Sequence, residues 1–249
     1  MVYELTDPSC AECLFTGWHE TMITSCLQGV MGKIYVTDPG EPAAAFAWLG
    51  CFGFFAGEPD RELVAHQPGD FLILSPQNEQ WAQLIEQVYP EARKTVRYAI
   101  RKDTRFDVAA LRRNVSLLPA GYELRAIDAA LYHQCLADPM TRDFVSVFRD
   151  EEAYLRDGRG VVLLKDGRIV SGASSYSRYR EGIEIEVDTL PQERRKHLAL
   201  ISCSALIVRC LEEGLYPSWD AQNKESVHLA EKLGYMLDHS YTVYEVEKQ

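Results

Sequence analysis

The 249-residue sequence has little positive charge: 26 lysines and arginines are outnumbered by 37 aspartates and glutamates, which leaves a formal net charge of −11. A general nucleic-acid-binding protein needs a basic face for the phosphates, so this balance argues against that class of function. An acidic surface would instead attract a cationic amine. We therefore expect no nucleic-acid partner.

Long apolar runs are also missing. The most apolar segment, residues 42–57, is shorter than the roughly 20 residues of a membrane-spanning helix and is interrupted by Gly50 and Gly53. We predict that it forms two buried strands that bend near Gly50. The first residues show no basic stretch followed by an apolar run, so we expect no signal peptide, no membrane partner and a cytoplasmic location.

Paired cysteine motifs are scarce. The seven cysteines are an odd number, which favours reduced thiols in a chain without a secretion signal. Cys10 and Cys13 form a CxxC pair, but zinc needs two further ligands at suitable spacing, and no second CxxC or nearby histidine pair is present. Cys26 could join them, although no spacing demands it. We predict ordinary thiols, no metal site, and core positions for Cys203 and Cys210.

The most informative stretch is residues 182–214. Residues 183–189 alternate apolar and polar side chains, which predicts a strand with one buried face. From about Arg194 apolar residues recur at helical spacing until Gly214. The basic residues 194–197 then occupy the first helical turn, where free N–H groups and the helix dipole favour negative charge. A bound phosphate would remove this conflict, and a surface helix with solvated side chains is the alternative.

Residues 194–199, Arg-Arg-Lys-His-Leu-Ala, resemble the pyrophosphate loop of the GNAT acetyltransferase superfamily, in which Gln/Arg-x-x-Gly-x-Gly/Ala joins a strand to a long helix. Arg194 and Ala199 match this pattern, whereas His197 stands where the family normally has glycine. A second block, residues 219–235, is similar to the family's later Asn-x-x-Ser/Ala-x-x-Leu segment that ends in Gly-Tyr or Gly-Phe. Residues 217–223 resemble the two-domain branch that includes zwittermicin self-resistance acetyltransferases.

This resemblance implies a mixed α/β (α+β) fold with a splayed central sheet flanked by helices in the C-terminal half. We expect a smaller α/β N-terminal domain without a recognisable motif at residues 1–118 and a GNAT-like, acetyl-CoA-binding catalytic domain at residues 119–249. Within the second domain, the sequence predicts a helix capped by Asp128, a hairpin turn at Asp166 and Gly167, and a strand over residues 217–221.

The resemblance also implies a reaction. An N-acetyltransferase of this superfamily moves the acetyl group of acetyl-CoA to a primary amine by direct attack. The thioester would lie between two splayed strands, the pantetheine along the central strand, and the pyrophosphate over the basic loop. The implied cofactor-binding residues are Val187, Asp188, Thr189, Arg194, Arg195, Lys196, His197, Leu198, Ala199, Asn223 and Ser226. Asn223 could also be a helix N-cap, and the two roles are compatible.

A base must take the proton of the amine unless the amine arrives neutral. Glu184 and Glu186 are the candidate catalytic residues, because a period of two places both on one face of the central strand, near the position at which the family often has a glutamate. The sequence does not choose between them, and an exposed strand face is the structural alternative. The family's general-acid tyrosine corresponds to Ala230 here. Three other tyrosines lie outside the motif: Tyr235, Tyr241 and Tyr244.

Two other functions remain open at this point. One is a non-catalytic CoA-binding or regulatory protein with the same fold, and the other is a transferase for a different acyl-CoA. A candidate glutamate that points into a cleft beside the central strand would favour the enzyme. The expected acceptor is a small-molecule or peptide amine, and a homodimer is one open oligomeric state.

Overall fold

A computed structural model describes residues 1–248. The strands β1 to β13 are Tyr3–Glu4, Lys33–Val36, Ala44–Leu49, Phe52–Gly57, Phe71–Pro76, Arg93–Ile100, Tyr122–Ala126, Gly160–Lys165, Arg168–Tyr179, Gly182–Thr189, Tyr216–Ser218, Asp220–Ala221 and Leu237–Glu247. The helices α1 to α8 are Thr21–Leu27, Arg61–Ala65, Glu79–Val88, Val108–Val115, Ala129–Ala137, Glu151–Asp157, Leu198–Glu212 and Lys224–Lys232. Short 3-10 helices cover Pro8–Phe15, Arg142–Phe144 and Pro191–Glu193.

The chain forms two compact units. The first unit holds Met1–Arg97 together with the C-terminal residues from Ser240 onward, and the second unit is Tyr98–His239. The end of β13 belongs to the first unit because it pairs antiparallel with β5, for example Tyr244 with Leu74. The sequence analysis instead divides the chain between residues 118 and 119, and that division stays a prediction about domains.

The sheet of the first unit has the strand order β1-β2-β3-β4-β5-β13. Its strands β3 and β4 are the two buried strands predicted in the apolar segment, and Gly50 between them has a positive φ of 58°. β4 and β5 run parallel, with α2 between them in the chain. Trp81 of α3 is fully buried in the core of this unit.

The second unit contains a five-stranded sheet in the order β11-β10-β9-β8-β7. All neighbours are antiparallel except β10 and β11, which are parallel. The predicted turn between β8 and β9 is confirmed, since Asp166 and Gly167 both have positive φ, as a two-residue hairpin loop of type I′ requires. The long helix α7 packs on one face of the sheet, where Ile183 and Ile185 share a core with Leu206.

Both units repeat one order of elements. Each has a first strand, two or three helical segments, three antiparallel strands, a helix, and a strand that runs parallel to the third of those three. A further helix and strand complete the series. The β4/β5 pair of the first unit therefore corresponds to the β10/β11 pair of the second. No sequence period announces this repeat, because it is a repeat of topology over about a hundred residues.

Two details correct the sequence analysis. The basic residues 194–197 do not form the first turn of the long helix, because α7 begins at Leu198 and His197 is its N-cap. Arg195 and His197 have positive φ, which a right-handed helix does not allow. The strand predicted over residues 217–221 is divided at Trp219, whose side chain is buried.

Candidate functional site

The strands β10 and β11 separate after a short parallel stretch. Their register pairs Gly182 with Tyr216, Ile183 with Pro217, and Glu184 with Ser218. After Ser218 the chain leaves β10, and β12 pairs antiparallel with β6. Within the described chain, the edge of β10 from residue 185 to residue 189 thus has no strand partner on that side. The predicted splayed sheet is confirmed, and it leaves a row of backbone donors and acceptors for an extended ligand.

A register shift marks the same point on the other edge of β10. Glu184 is opposite Ser177 of β9, but the next residue, Ile185, is opposite Ser175, so β9 contains one extra residue, Tyr176. Such bulges bend a strand and re-aim its side chains, and they occur frequently next to active sites. The bulge and the end of the parallel pairing therefore coincide at Glu184.

The loop between β10 and α7 has two residues in the left-handed region. Arg195 and His197 each have a φ of 63°, and His197 has a ψ of 13°. Left-handed residues alternating with ordinary ones turn successive N–H groups inward and create a concavity for anions. The first N–H groups of α7 follow directly, without an acidic residue in the first turn and without a side-chain cap. The loop thus offers backbone donors even though His197 is not glycine.

The basic side chains of this loop have different surroundings. The Arg194 guanidinium donates to the Thr189 carbonyl oxygen at 3.3 Å and lies 3.9 Å from Asp188 Oδ1. Lys196 donates instead to Glu193 at 2.7 Å. Arg195 and His197 are exposed. Arg194 therefore contacts the end of β10, Lys196 is bonded to Glu193, and Arg195 and His197 are the exposed basic side chains of the loop.

Glu193 is the centre of a polar cluster beside the loop. Its carboxylate accepts hydrogen bonds from Lys196, from the Tyr122 hydroxyl and from Lys165. These bonds, in that order of effect, lower the pKa of Glu193 to about 2, and desolvation opposes them. The cluster ties the loop to β7 and to the end of β8, so it fixes the conformation that presents the amides.

Glu184 is 3% exposed and lies on the face of β10 opposite to Ile183, away from α7. Its Oε2 is 3.7 Å from the Lys102 ammonium, which also donates to the Trp219 carbonyl oxygen at 2.9 Å. Lys102 thus links the buried carboxylate to the residue at which the chain turns from β11 to β12. The positive charge compensates for the cost of burying a carboxylate.

Glu186 lies two residues further along the same face and is half-buried. It pairs in register with Ser174, whose hydroxyl donates to the Phe144 carbonyl oxygen. Neither glutamate therefore belongs to an open, fully solvated strand face. Their catalytic roles stay predictions.

The three alternative tyrosines have different positions. The buried Tyr235 donates its hydroxyl hydrogen to the Pro217 carbonyl oxygen at 2.6 Å, and burial raises its pKa well above the ordinary value. Tyr244 lies in the first unit and donates to Glu86. Tyr241 is half-buried on β13. Tyr235 is thus the one of the three that lies beside β11, and there it has a structural bond.

The second sequence block forms the beginning of α8. Asn223 is the N-cap, and its side-chain oxygen accepts a hydrogen bond from Ser226 N at 2.8 Å. The Ser226 hydroxyl accepts from the indole nitrogen of Trp219 at 3.1 Å. The cap interpretation of Asn223 is therefore confirmed, and cofactor contacts of Asn223 and Ser226 stay predictions.

The remaining predicted cofactor residues follow the strand and the helix. Val187, Asp188 and Thr189 are half-buried at the unpaired end of β10. Leu198 is 1% exposed and packs with Ile201, so its part in the loop is limited to its backbone. Ala199 is half-buried in the first turn of α7.

The corresponding place in the first unit is closed. Between β4 and β5, Gln77 accepts a hydrogen bond from Gly57 N at 3.0 Å, and Trp81 Nε1 donates to Gly57 O at 2.9 Å. The helix that follows β4 is only five residues long, Asp60 caps its N–H groups, and Glu62 is in its first turn. Negative charge at these amides disfavours an anion. The two units thus differ in the feature that would bind a pyrophosphate.

Sequence reasoning missed three residues of the site: Lys102, Ser177 and Ser218. Lys102 lies far along the chain from Glu184 and outside any motif, Ser177 lies seven residues before Glu184, and Ser218 lies in the 217–223 block, which gave it no role in the site. Only the register of β9, β10 and β11 and the course of the chain after β6 bring them together.

In residues 1–248 no disulfide joins the cysteines, and Cys203 and Cys210 are buried in the core as predicted. Within the same range no group of three or more potential metal ligands comes together. Among the helices described, none has both the length and the apolar character needed to cross a bilayer.

Comparisons with known proteins agree with this geometry. Residues 12–244 match a family model described as GNAT acetyltransferase. The fold is similar to the crystal structure of a GCN5-related N-acetyltransferase-like protein from Streptococcus suis 89/1591, with a TM-score of 0.92, 46% sequence identity, and coverage of 95% of this chain and 98% of that one. A tandem GNAT protein from the clavulanic acid biosynthesis pathway shares the fold at a TM-score of 0.55 and 14% identity, over 99% of this chain and 98% of that one.

Among curated proteins, the chain is similar to the uncharacterized N-acetyltransferase YdfB of Bacillus subtilis (strain 168). The two are 30% identical over 134 residues, which is 51% of this chain and 49% of that protein. The chain thus spans about half the length of the curated relative that it matches.

Proposed function

The chain belongs to the GNAT acetyltransferase family, and on that premise we propose that it moves an acetyl group from acetyl-CoA to a primary amine by direct attack. The observation that carries the proposal is the separation of β10 from β11 at Glu184, followed, after the unpaired end of β10, by the loop in which Arg195 and His197 have positive φ. A buried carboxylate, an unpaired strand edge and a loop suited to an anion thus follow one another along a single stretch of chain.

The residues of the second unit fit acetyl-CoA. The unpaired edge of β10 at Val187, Asp188 and Thr189 would bond the amides of the pantetheine arm. The amides from Arg195 to Ala199 would face the pyrophosphate, and Arg194 and Arg195 would balance its charge. When bound, acetyl-CoA supplies the acetyl group as a thioester. The first unit, with Asp60 at the corresponding amides, would bind none.

Glu184 is our choice for the general base. It is buried at the point where the two strands part, whereas Glu186 lies further along β10 and beside Ser174. A carboxylate in a buried site can accept a proton from an ammonium group and thereby give a neutral amine that attacks. Lys102 holds this carboxylate from the side of Trp219 and is therefore a positioning residue.

We also propose a class of acceptor, a branch of the family and a cellular location. The acceptor would be a small-molecule or peptide amine, and the net charge of −11 would attract it as a cation. Residues 217–223 support the branch that resembles zwittermicin self-resistance acetyltransferases. We include a cytoplasmic location in the proposal, which the absence of disulfides among the seven cysteines supports.

The test is a thiol-release assay with acetyl-CoA and a panel of polyamines, amino acids, aminoglycosides and short peptides. We expect amine-dependent release of CoA, and a loss of about a hundredfold or more in kcat for Glu184→Gln. Glu186→Gln is the matched control, with kcat within a few fold of the wild type. The same assay with other acyl-CoAs tests which acyl group the protein transfers.

Three results would overturn parts of the proposal. Turnover that survives in Glu184→Gln but not in Glu186→Gln would exchange the roles of the two glutamates. A preference for a longer acyl-CoA would change the donor. Binding of acetyl-CoA without turnover of any amine would favour the non-catalytic CoA-binding alternative.

A further inference from the structure

Two of the seven cysteines form an exposed pair on one short helix of the first unit. Cys10 and Cys13 are free thiols that both belong to the 3-10 helix Pro8–Phe15. Cys51 is half-buried, and the other four are buried: Cys26, Cys135, Cys203 and Cys210. Burial raises the pKa of all four buried thiols, so they stay protonated near neutral pH. Because the thiolate is the form that reacts, and because a reagent must reach it, the exposed pair is the place in this chain for thiol chemistry.

The 3-10 conformation brings the two thiols to the same side of the helix. Such a helix has three residues per turn and rises about 2.0 Å per residue, so residues i and i+3 are eclipsed and their Cα atoms are about 6 Å apart. Cys10 and Cys13 have this spacing. The Cα atoms of disulfide-bonded cysteines are usually about 4.4–6.8 Å apart. The sequence alone predicts ordinary thiols here, because a CxxC motif does not reveal a 3-10 helix.

Both ends of this helix are bonded to their surroundings. At its start, the Asp7 carboxylate is the N-cap and accepts from the backbone N–H of Ser9 at 3.1 Å and from its hydroxyl at 2.6 Å. Near its end, the Leu14 carbonyl oxygen accepts from Gln77 Nε2 at 2.7 Å, and Phe15 is buried. The thiols therefore lie on a helix that is attached to the first unit, with their own side facing solvent.

We propose that Cys10 and Cys13 are a redox modification site, which a small disulfide of the glutathione class converts reversibly to an intramolecular disulfide. One cysteine thiolate attacks the small disulfide, so a sulfur–sulfur bond to the protein forms and one small thiolate leaves. The second cysteine thiolate attacks the protein sulfur of this mixed disulfide, which forms the Cys10–Cys13 bond and releases the second small thiolate. The protein thiols give their two protons to solvent, and the released thiolates take up two. The pair thus loses two electrons, and the small disulfide gains them.

The helix geometry also predicts that this disulfide is easily reduced. Eclipsed side chains leave the two Cβ atoms farther apart than the roughly 3.8 Å of an ordinary disulfide, so the turn must tighten when the bond forms. Strained or exposed disulfides have more oxidising potentials and are the labile ones. Such a bond suits a reducing compartment, in which the disulfides that do form are usually transient. This chemistry belongs to the first unit and does not depend on the proposed acyl transfer.

The first test treats the full chain with oxidised glutathione, alkylates the remaining thiols and measures the masses of the peptides. We expect the wild type to lose two hydrogens between Cys10 and Cys13 and to retain no glutathione there. Cys10→Ser and Cys13→Ser should each retain one glutathione, because no second thiol can displace it. Cys51→Ser is the matched control and should react as the wild type does. Serine at the exposed positions leaves the core unchanged, since neither side chain is buried.

Three results of this test would overturn the proposal: glutathione retained by the wild type at Cys10 or Cys13, no reaction of either thiol, or a disulfide to Cys51 instead. The second test adds an excess of reduced glutathione to the oxidised wild type, and we expect the dithiol to return completely. A disulfide that resists this treatment would contradict the reversible modification. Neither test uses acetyl-CoA or an amine, so a failure of the proposed function would leave both outcomes unchanged.

Discussion

Glu184 is the last residue of β10 that pairs with β11, and its partner there is Ser218. On the opposite edge, the bulge of β9 begins at the same glutamate. The sheet therefore opens on one side and bends on the other at a single residue. The carboxylate of Glu184 is therefore buried at the point where the two strands part, rather than on an open strand face.

Lys102 should contribute to stability through Glu184. We expect Lys102→Met to lower the free energy of unfolding by about 1–3 kcal/mol, because the buried carboxylate loses its counter-charge while the lysine is itself partly exposed. Chemical denaturation of Lys102→Met, Glu184→Gln and the double variant measures the coupling. If the stability losses of the two single variants add up to the loss of the double variant, the 3.7 Å contact contributes nothing.

His197 should be under conformational strain. Since its φ of 63° is left-handed, we expect His197→Gly to raise the free energy of unfolding by about 0.5–1 kcal/mol, the relief of strain exceeding the extra chain entropy of glycine. Gln192→Gly is the control, because Gln192 is exposed, close to the loop and outside the left-handed region; it should lower stability. A loss of stability in His197→Gly equal to that control would contradict the strain.

The Glu193 cluster should make stability depend on pH in the acidic range. The folded-state pKa is lowered to about 2 from an ordinary 4.5, so the stabilisation is fully present above pH 4.5 and is lost as the pH falls toward 2. We expect the difference in stability between the wild type and Glu193→Gln to shrink between pH 5 and pH 2. The exposed Glu231→Gln serves as the comparison. A difference that stays constant over this range would rule out the contribution of the cluster.

Gly182 should be needed at the start of the β10/β11 pair. A Cβ there would lie 2.1 Å from the Tyr216 carbonyl oxygen and 2.5 Å from the Tyr179 hydroxyl oxygen. We expect Gly182→Ala to cost about 1–3 kcal/mol in unfolding free energy and to raise the KM for acetyl-CoA, because the strands must shift apart. Gly40→Ala is the control, because the atom nearest to its new Cβ would be 3.4 Å away. Its free energy of unfolding should stay within about 0.5 kcal/mol of the wild-type value. Equal effects of the two variants would refute the steric argument.

Local signals in the sequence were sufficient for most elements of the second unit. The cap at Asp128, the turn at Asp166 and Gly167, and the strand β10 each depend on neighbouring residues, and the structure has all three. The prediction that β10 has one buried face is wrong, because Glu184 on the other face is buried too. The loop motif located the connection between β10 and α7, and an anion site there stays a prediction. Its conformation was missed because Arg195 and His197 are not residues that normally signal a left-handed backbone.

Long-range features could not be predicted in this way. The return of β13 to β5, the placement of Lys102 against Glu184 and the pairing of Ser218 with Glu184 depend on contacts between segments that are distant in the sequence. The repeat of topology was hidden because the first unit has Asp60 and a five-residue helix where the second has a basic loop and a long helix.

The most direct test of the central claim is a calorimetric titration of the protein with acetyl-CoA. We predict one binding site per chain, formed by the second unit alone. The site should be lost or greatly weakened in an Arg194→Ala, Arg195→Ala double variant and kept in Arg105→Ala, a change at an exposed arginine outside the loop. Two sites per chain, no binding at millimolar acetyl-CoA, or equal binding by the loop variant would contradict the account.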